Sequence, residues 1–174
     1  RISPSNPVTG YFPDATVNTL VNVGGGTTEY NITTKLPASQ LTYNNLSINT
    51  AGTVTQKNNI TLNGDLVVKQ GTFRINDNTA LTQRYQMTVG GSVTVNNGAF
   101  FTVGTGPTNA FTDPLIVPAG GASPFTNYYD GQSHRVGVKG DFTNNGTVKF
   151  TNQSNPEYTQ IPSNGIATVY FQGS

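Results

Sequence analysis

Short hydrophobic segments separated by turn residues recur along most of this chain. The clearest copy is "NITLNGDLVVKQGTFRIND" (59–77), and "MTVGGSVTVNNGAFFTVG" (87–104), "VGVKGDFTNNGTVKFTN" (136–152) and, more loosely, "LTYNNLSINTAGTVTQ" (41–56) follow the same pattern. Each copy consists of very short extended segments between turns. Strands this short do not form a stable hairpin on their own, so the fold must let each copy support the next.

Two turn residues recur in each copy. The first turn residue recurs at intervals of 19, 27, 49 and 33 residues along the chain. The second turn residue follows the first after six or seven residues. A turn between strands this short needs positive φ somewhere, which glycine and asparagine adopt most easily. We therefore predict structural turns at Asn45, Gly52, Gly64, Gly71, Gly91, Gly98, Gly140 and Gly146.

The repeat predicts an all-β fold, a right-handed parallel β-helix (β-solenoid) with short three-strand coils and one long insertion. Each strand would pair with its counterpart in the coils above and below, and parallel crossovers are right-handed. The inward Leu, Ile, Val and Phe side chains would form a narrow core. A β-sandwich is the alternative, because short strands with frequent turns also describe that class.

The repeat also predicts how the chain is divided. Residues 1–40 repeat less clearly and are expected to form an N-terminal cap or a degenerate first coil. Residues 41–174 are expected to form the coils, with the insertion at about 105–134, where four prolines break the alternation. Near the end, Val169 and Phe171 stand where Ile60 and Leu62 stand in an earlier copy, so we expect the chain to be part of a longer protein.

The composition narrows the class of protein. Charged residues make up 10% of the chain, against about 25% in an average soluble protein, and the net charge is +1. This gives no electrostatic reason to expect a nucleic-acid partner. The chain has no cysteine and no apolar run long enough for a transmembrane segment. Abundant Thr, Asn and Gly indicate an extracellular β-protein.

The phrases "GDFTNNGTVKFTNQ" and "ATVYFQGS", together with "ITLNGDLVV" and "MTVGGSVTVNNGAF", carry a family resemblance. They are similar to repeat regions of large secreted Bacteroidetes cell-surface proteins, which are adhesin-like β-helix substrates of the type IX secretion system. The resemblance covers about residues 41–174. It implies a structural or adhesive segment at the cell surface, whose partners are secretion or outer-membrane machinery, other surface proteins or glycans. It implies no catalytic residues.

Two carboxylates raise the question of a metal site. Asp65 and Asp141 each follow a turn glycine, and acids recurring at one corner could line up a calcium site. In the other copies Leu46 and Ser92 take that position in the sequence. We therefore favour a turn role, in which the aspartate accepts backbone N–H bonds, with calcium as the alternative. No other cofactor is expected.

The remaining polar residues do not suggest catalysis. The eight acidic residues form no evident pair of the kind that glycoside hydrolysis needs, and a single histidine beside a loop is a weak candidate for a general base. A nucleophile elbow, a P-loop and a dinucleotide fingerprint are missing. We predict that the chain is not an enzyme.

The insertion is the candidate ligand site. Aromatic and amide side chains cluster near its end, and such groups suit sugar rings, although the aromatic residues could simply hold the loop against the coils. The alternatives to a structural role are thus a carbohydrate-binding module using residues 105–134, or a fibre subunit that assembles by strand addition. The candidate ligand-binding residues are Phe125, Tyr128, Tyr129, Asp130, Gln132 and His134.

Overall fold

The computed structural model describes residues 22–77, 84–104, 134–150 and 167–173. In these ranges the chain is all-β, with thirteen strands and no helix. The strands are β1 (Thr27–Tyr30), β2 (Thr34–Lys35), β3 (Thr42–Tyr43), β4 (Asn45–Gln56), β5 (Ile60–Leu62), β6 (Leu66–Ile75), β7 (Gln86–Val89), β8 (Val93–Val95), β9 (Phe100–Val103), β10 (His134–Val138), β11 (Phe142–Asn144), β12 (Thr147–Lys149) and β13 (Ala167–Phe171).

The strands form two sheets, and all pairings between the described strands are parallel. The smaller sheet has the order β13-β10-β7-β5-β3. The larger sheet has the order β1-β4-β6-β8-β11, with β2 beside β4, β9 beside β6 and β12 beside β9. Parallel strands all begin at the same end of their sheet. The chain must therefore cross back to that end before each new strand of the sheet begins.

The larger sheet has two limbs. The first limb consists of β1, the N-terminal parts of β4 and β6, β8 and β11, and the second consists of β2, the C-terminal parts of β4 and β6, β9 and β12. The strands β4 and β6 run through both limbs, whereas the later layers use two separate strands. We call one passage through the smaller sheet and both limbs a layer.

The strand register follows the intervals of the sequence repeat. In the smaller sheet Tyr43 pairs with Leu62, Leu62 with Val89, Val89 with Val138, and Val138 with Phe171. Each of these residues stands two positions before one of the recurring turn residues. The spacing of the turn residues in the sequence is therefore the spacing of the layers in the structure.

The core is built from side chains that stack from layer to layer. Val54, Phe73, Phe101 and Val148 stand in one inward column of the second limb, and the first three are fully buried. The Phe73 and Phe101 ring centroids lie 5.5 Å apart, and the Phe150 ring meets Phe101 edge-on at 5.2 Å. Because each buried side chain contributes about 1.5–3 kcal/mol, such columns hold successive layers together.

The corner between the two limbs contains the two predicted turn glycines that have positive φ. Gly71, with φ 72°, lies inside β6, and Gly98, with φ 76°, lies in the turn closed by the hydrogen bond from Ala99 N–H to Asn96 O at 3.0 Å. A side chain at Gly71 would overlap the Thr50 carbonyl oxygen, whereas the space around Gly98 is open. The two glycines therefore meet different physical requirements.

The length of the repeat varies at one corner of the layer. The links from the smaller sheet to the first limb are short, and in the last three layers they are residues 63–65, 90–92 and 139–141. The links from the second limb back to the smaller sheet are residues 36–41, 57–59, 76–85, 104–133 and 150–166. The predicted insertion, at about residues 105–134, corresponds to the link of residues 104–133, and all of it except its last residue, His134, lies outside the described residues.

The N-terminal region also contributes to the larger sheet. The strands β1 and β2 both pair in parallel with β4, so residues 27–35 extend the larger sheet by a further layer. Residues 1–21 lie outside the described ranges. Among the residues that the structure describes, no helix has the length and apolar character needed to cross a membrane.

Candidate functional site

A ladder of polar side chains runs along the corner between the smaller sheet and the first limb. The Asn45 Oδ1 atom accepts the Asp65 backbone N–H at 2.8 Å, and the Asp65 Oδ1 atom accepts the Ser92 N–H at 2.7 Å. The Ser92 Oγ atom accepts the Asp141 N–H at 3.1 Å. We call these four residues the corner ladder. Each bond joins one layer to the next.

The sequence alignment placed Leu46, Asp65, Ser92 and Asp141 at equivalent positions, and the strand register replaces the first of these residues. Leu46 pairs with Leu66, so Asn45, and not Leu46, lies beside Asp65. The first copy has one residue fewer than the later copies at this corner, which an alignment based on the turn residues does not detect. The column is therefore polar in all four layers.

The two candidate metal ligands lie in this ladder. Ser92 stands between Asp65 and Asp141, which places the two aspartates two layers apart, about 9.6 Å at the backbone for parallel strands. The described residues contain no group of three or more His, Cys, Asp or Glu side chains placed to hold a metal ion. A calcium site remains a prediction, and the contact that the structure gives Asp65 is with a backbone N–H.

The predicted turn glycines beside the ladder serve close packing of the backbone. Gly91 N–H donates to Gly64 O at 2.9 Å, and Gly140 N–H donates to Gly91 O at 2.9 Å. A Cβ atom on Gly91 or Gly140 would lie 2.9 Å from the carbonyl carbon of the glycine in the preceding layer. Their φ angles are not positive, so the backbone of the neighbouring layer, rather than a left-handed turn, requires the absence of a side chain.

The remaining four predicted turn positions, of which Gly64 lies in the link between β5 and β6, also lack positive φ. Asn45 is the first residue of β4, and Gly52 lies inside the same strand. Gly146 lies between β11 and β12, where a Cβ atom would lie within 3.0 Å of three atoms of the preceding layer. Tight stacking of layers thus explains glycine here as well.

His134 is an inner residue of β10. Its side chain is fully buried, and its Nδ1 atom accepts the Tyr85 backbone N–H at 2.9 Å. The Tyr85 ring stacks on the imidazole with centroids 5.8 Å apart. Because a backbone N–H can only donate, the Nδ1 atom is unprotonated. The structure thus places His134 among core residues, and the other five candidate ligand-binding residues, Phe125, Tyr128, Tyr129, Asp130 and Gln132, lie outside the described ranges.

A buried carboxylate that the sequence did not single out joins three layers. The Asp77 Oδ2 atom lies 3.0 Å from Lys57 Nζ and 3.2 Å from Lys35 Nζ, and the Asp77 side chain is only 9% exposed. Burial, and to a smaller extent the Asp77 charge, raise the pKa of Tyr85. The signal in the sequence was that Lys57 and Asp77 follow equivalent strands of consecutive copies.

A second charged cluster lies on the outside of the first limb. The Glu29 carboxylate accepts hydrogen bonds from Lys69 at 2.9 Å and from Ser47 and Asn49 at 3.3 Å. The hydrogen bond from Lys69 is the main reason why the pKa of Glu29 is lowered, and burial opposes it. This cluster, too, links successive layers, so the described acids Glu29 and Asp77 both act as ties between layers.

Comparison of the chain with protein-family models, with curated proteins and with solved structures finds no match.

Proposed function

We propose that the chain is a right-handed parallel β-helix and serves as a non-enzymatic structural or adhesive segment of a large exported cell-surface protein, as in the Bacteroidetes type IX secretion substrates that its repeats resemble. The observation that supports this most is the register of the smaller sheet. Equivalent residues from Tyr43 to Phe171 pair in one continuous parallel series, which is how the coils of a solenoid stack.

The bonds between layers support a mechanical role. Each layer is joined to the next by parallel backbone pairing, by the buried columns and by the corner ladder. The ion pairs of Asp77 and Glu29 add ties at other positions around the layer. A stack held in this way grows by about 4.8 Å per layer and resists bending because successive layers are joined in both sheets and at the corner between them.

The outward residues support a position at a surface. Only 10% of the chain is charged, and the outward positions of the strands hold many threonines, such as Thr61, Thr88 and Thr102. Hydroxyl groups arrayed at regular intervals can make many weak contacts with glycans or with other surface proteins. The secretion or outer-membrane machinery would be a partner during export.

Small-angle X-ray scattering of the purified chain tests the rod. We expect a distance distribution with a maximum dimension well beyond that of a sphere of equal mass, and a profile typical of a sphere would contradict the solenoid. Protease treatment of intact producing cells, followed by detection with an antibody, tests the location. Loss of the protein without lysis is expected, and protection until lysis would exclude a surface location.

A fibre subunit is the second candidate, favoured by the last described layer. In the described part of the chain, no further strand pairs with the outer edges of β11, β12 and β13, and Phe171 at the end of β13 is 67% exposed. Unpaired edges of this kind can accept a strand from another molecule. Light scattering over a concentration series should show growing mass for the wild type and a monomer for Phe171→Thr. A wild type that stays monomeric would exclude this candidate.

A further inference from the structure

The outer face of the second limb has a cation on alternate layers. Lys35 pairs with Thr55, Thr55 with Arg74, Arg74 with Thr102, and Thr102 with Lys149. The inward neighbours of Arg74 are fully buried, so Arg74 points outward, since side chains alternate along a strand. The column therefore holds a cation, a threonine, a cation, a threonine and a cation in order; Thr55 is buried, and Thr102 is partly exposed.

Two of the three cations have no acidic partner in the described ranges. Lys35 contacts Asp77, but the salt bridges among the described residues do not involve Arg74 or Lys149. The Arg74 Nε atom is shielded from solvent and makes no hydrogen bond within the described part of the structure. This Nε atom is closed to a ligand, but the Arg74 side chain as a whole is partly exposed and forms no ion pair with a described residue, so its charge is available at the surface.

An aromatic side chain stands beside this column. The neighbouring column holds Thr53, Thr72, Phe100 and Thr147 in successive layers, so an aromatic residue replaces the usual threonine in one layer only. Phe100 is 42% exposed and lies in the layer between those of Arg74 and Lys149. Neither column contains an acidic residue, so the face formed by the two columns is cationic and partly aromatic.

We propose that this face binds a linear polysaccharide that carries a carboxylate on every second sugar ring and lies along the stacking direction. Arg74 and Lys149 are two layers apart, about 9.6 Å at the backbone, which suits charges that recur once per disaccharide. Each would form a charge-assisted hydrogen bond with a carboxylate, and Phe100 would pack against the uncharged ring between them. The hydroxyl groups of Thr72, Thr102 and Thr147 would meet the sugar hydroxyls.

This inference names the partner of the adhesive face and rests on the proposed function for its biological setting, whereas its geometry comes from the strand register alone. The two can fail separately. If the chain binds the polysaccharide but scatters like a sphere, the proposed rod is wrong and the proposed binding face stands. If the chain scatters like a rod but does not bind the polysaccharide, the proposed binding face is wrong and the proposed rod stands.

Isothermal titration calorimetry of the whole chain with hyaluronan oligosaccharides, which carry one carboxylate per disaccharide, tests the proposal. The variants Arg74→Thr, Lys149→Thr and Phe100→Thr each introduce the residue that the adjoining layers carry, so the fold should tolerate them, and circular dichroism checks this. The control is Lys139→Thr, an exposed cation outside both columns. We expect each of the two cation variants to weaken binding about tenfold, as for loss of one charged hydrogen bond, and the control to bind like the wild type.

Three results would overturn the proposal. The first is undiminished binding by the folded Arg74→Thr variant. The second is equal affinity for dextran, an uncharged polysaccharide, because charge would then play no part. The third is equal affinity for duplex DNA together with no effect of Phe100→Thr, because the face would then bind any polyanion. Weaker binding at higher salt, combined with loss of affinity in Phe100→Thr, would support the glycan.

Discussion

Alanine substitution at Gly71 and at Gly98 separates two costs that a corner glycine can avoid. Both residues have positive φ, 72° and 76°, so both variants suffer the strain of a left-handed conformation. At Gly71 the new Cβ atom would also overlap the Thr50 carbonyl oxygen and lie 2.5 Å from that of Gly52, whereas at Gly98 it meets no atom within 4 Å. The two sites thus share one cost and differ in the other.

The expected magnitudes follow from these contacts. Left-handed strain alone costs about 1–2 kcal/mol, which is our expectation for Gly98→Ala. Gly71→Ala must in addition displace the backbone of the preceding layer, a form of overpacking that costs about 1–3 kcal/mol more. We therefore expect Gly71→Ala to lower the free energy of unfolding by about 2–5 kcal/mol. The effect of alanine on the unfolded chain is the same at both sites and cancels from the comparison.

Urea denaturation followed by far-ultraviolet circular dichroism gives both free energies, and asparagine supplies a further control. Asparagine adopts positive φ more easily than alanine, so Gly98→Asn should be milder than Gly98→Ala. Gly71→Asn should keep most of the loss caused by Gly71→Ala, because its Cβ atom makes the same overlap and only the left-handed strain is relieved. Equal losses for the two alanine variants, within about 0.5 kcal/mol, would refute the role assigned to the Thr50 carbonyl.

Three further predictions concern the core and two titrating groups. Phe101→Ala should cost about 3–5 kcal/mol of unfolding free energy in the same assay, and Phe100→Ala, next to it on the outer face, should cost far less; similar losses would mean that the two faces are wrongly assigned. The hydrogen bond from Lys69 lowers the pKa of Glu29 from its ordinary value of 4.5, so the stability it contributes is present above about pH 4.5 and is lost as the pH falls below it; Glu29→Gln should flatten this part of an acid unfolding curve, and an unchanged curve would contradict it. Burial raises the pKa of Tyr30 to about 12, so its contribution is present below about pH 10 and is lost as the pH rises towards 12; Tyr30→Phe should reduce the alkaline loss of stability, measured by denaturation at several pH values.

The spacing of the layers could be predicted from the sequence because close stacking of the backbone requires glycine at the same position of successive copies. Gly91 and Gly140 lie where the backbones of two layers approach too closely for a side chain, so glycine recurs at the same point of each copy. The all-β class and the parallel relation of the copies follow from that recurrence. The reason first given for most of these glycines, positive φ, was nevertheless wrong, since sequence does not distinguish a turn from a close approach.

Other features of the structure could not be predicted, because they depend on contacts between residues far apart in the sequence. An alignment of the copies places Asn45 at the position of the turn glycines. In the structure Asn45 is the hydrogen-bond acceptor of the corner ladder, because the first copy is one residue shorter at this corner. The sequence alone did not reveal this difference in length. The alternation of His134, Val136 and Val138 was compatible with an inward histidine, but its partner, the Tyr85 N–H, comes from another layer. Likewise, the cation column was invisible until the register placed Arg74 beside Thr102.

The restriction of length changes to one corner has a consequence for how such chains can diversify. The links from the second limb to the smaller sheet range from residues 57–59 to residues 104–133, while the strands on either side keep their register. Doubling the length of a flexible loop costs only about 0.6 kcal/mol of closure entropy. New sequence can therefore enter at this corner by small genetic steps without disturbing the stack, and a foreign peptide inserted within residues 104–133, which already form the longest link, should be displayed there by an otherwise unaltered scaffold.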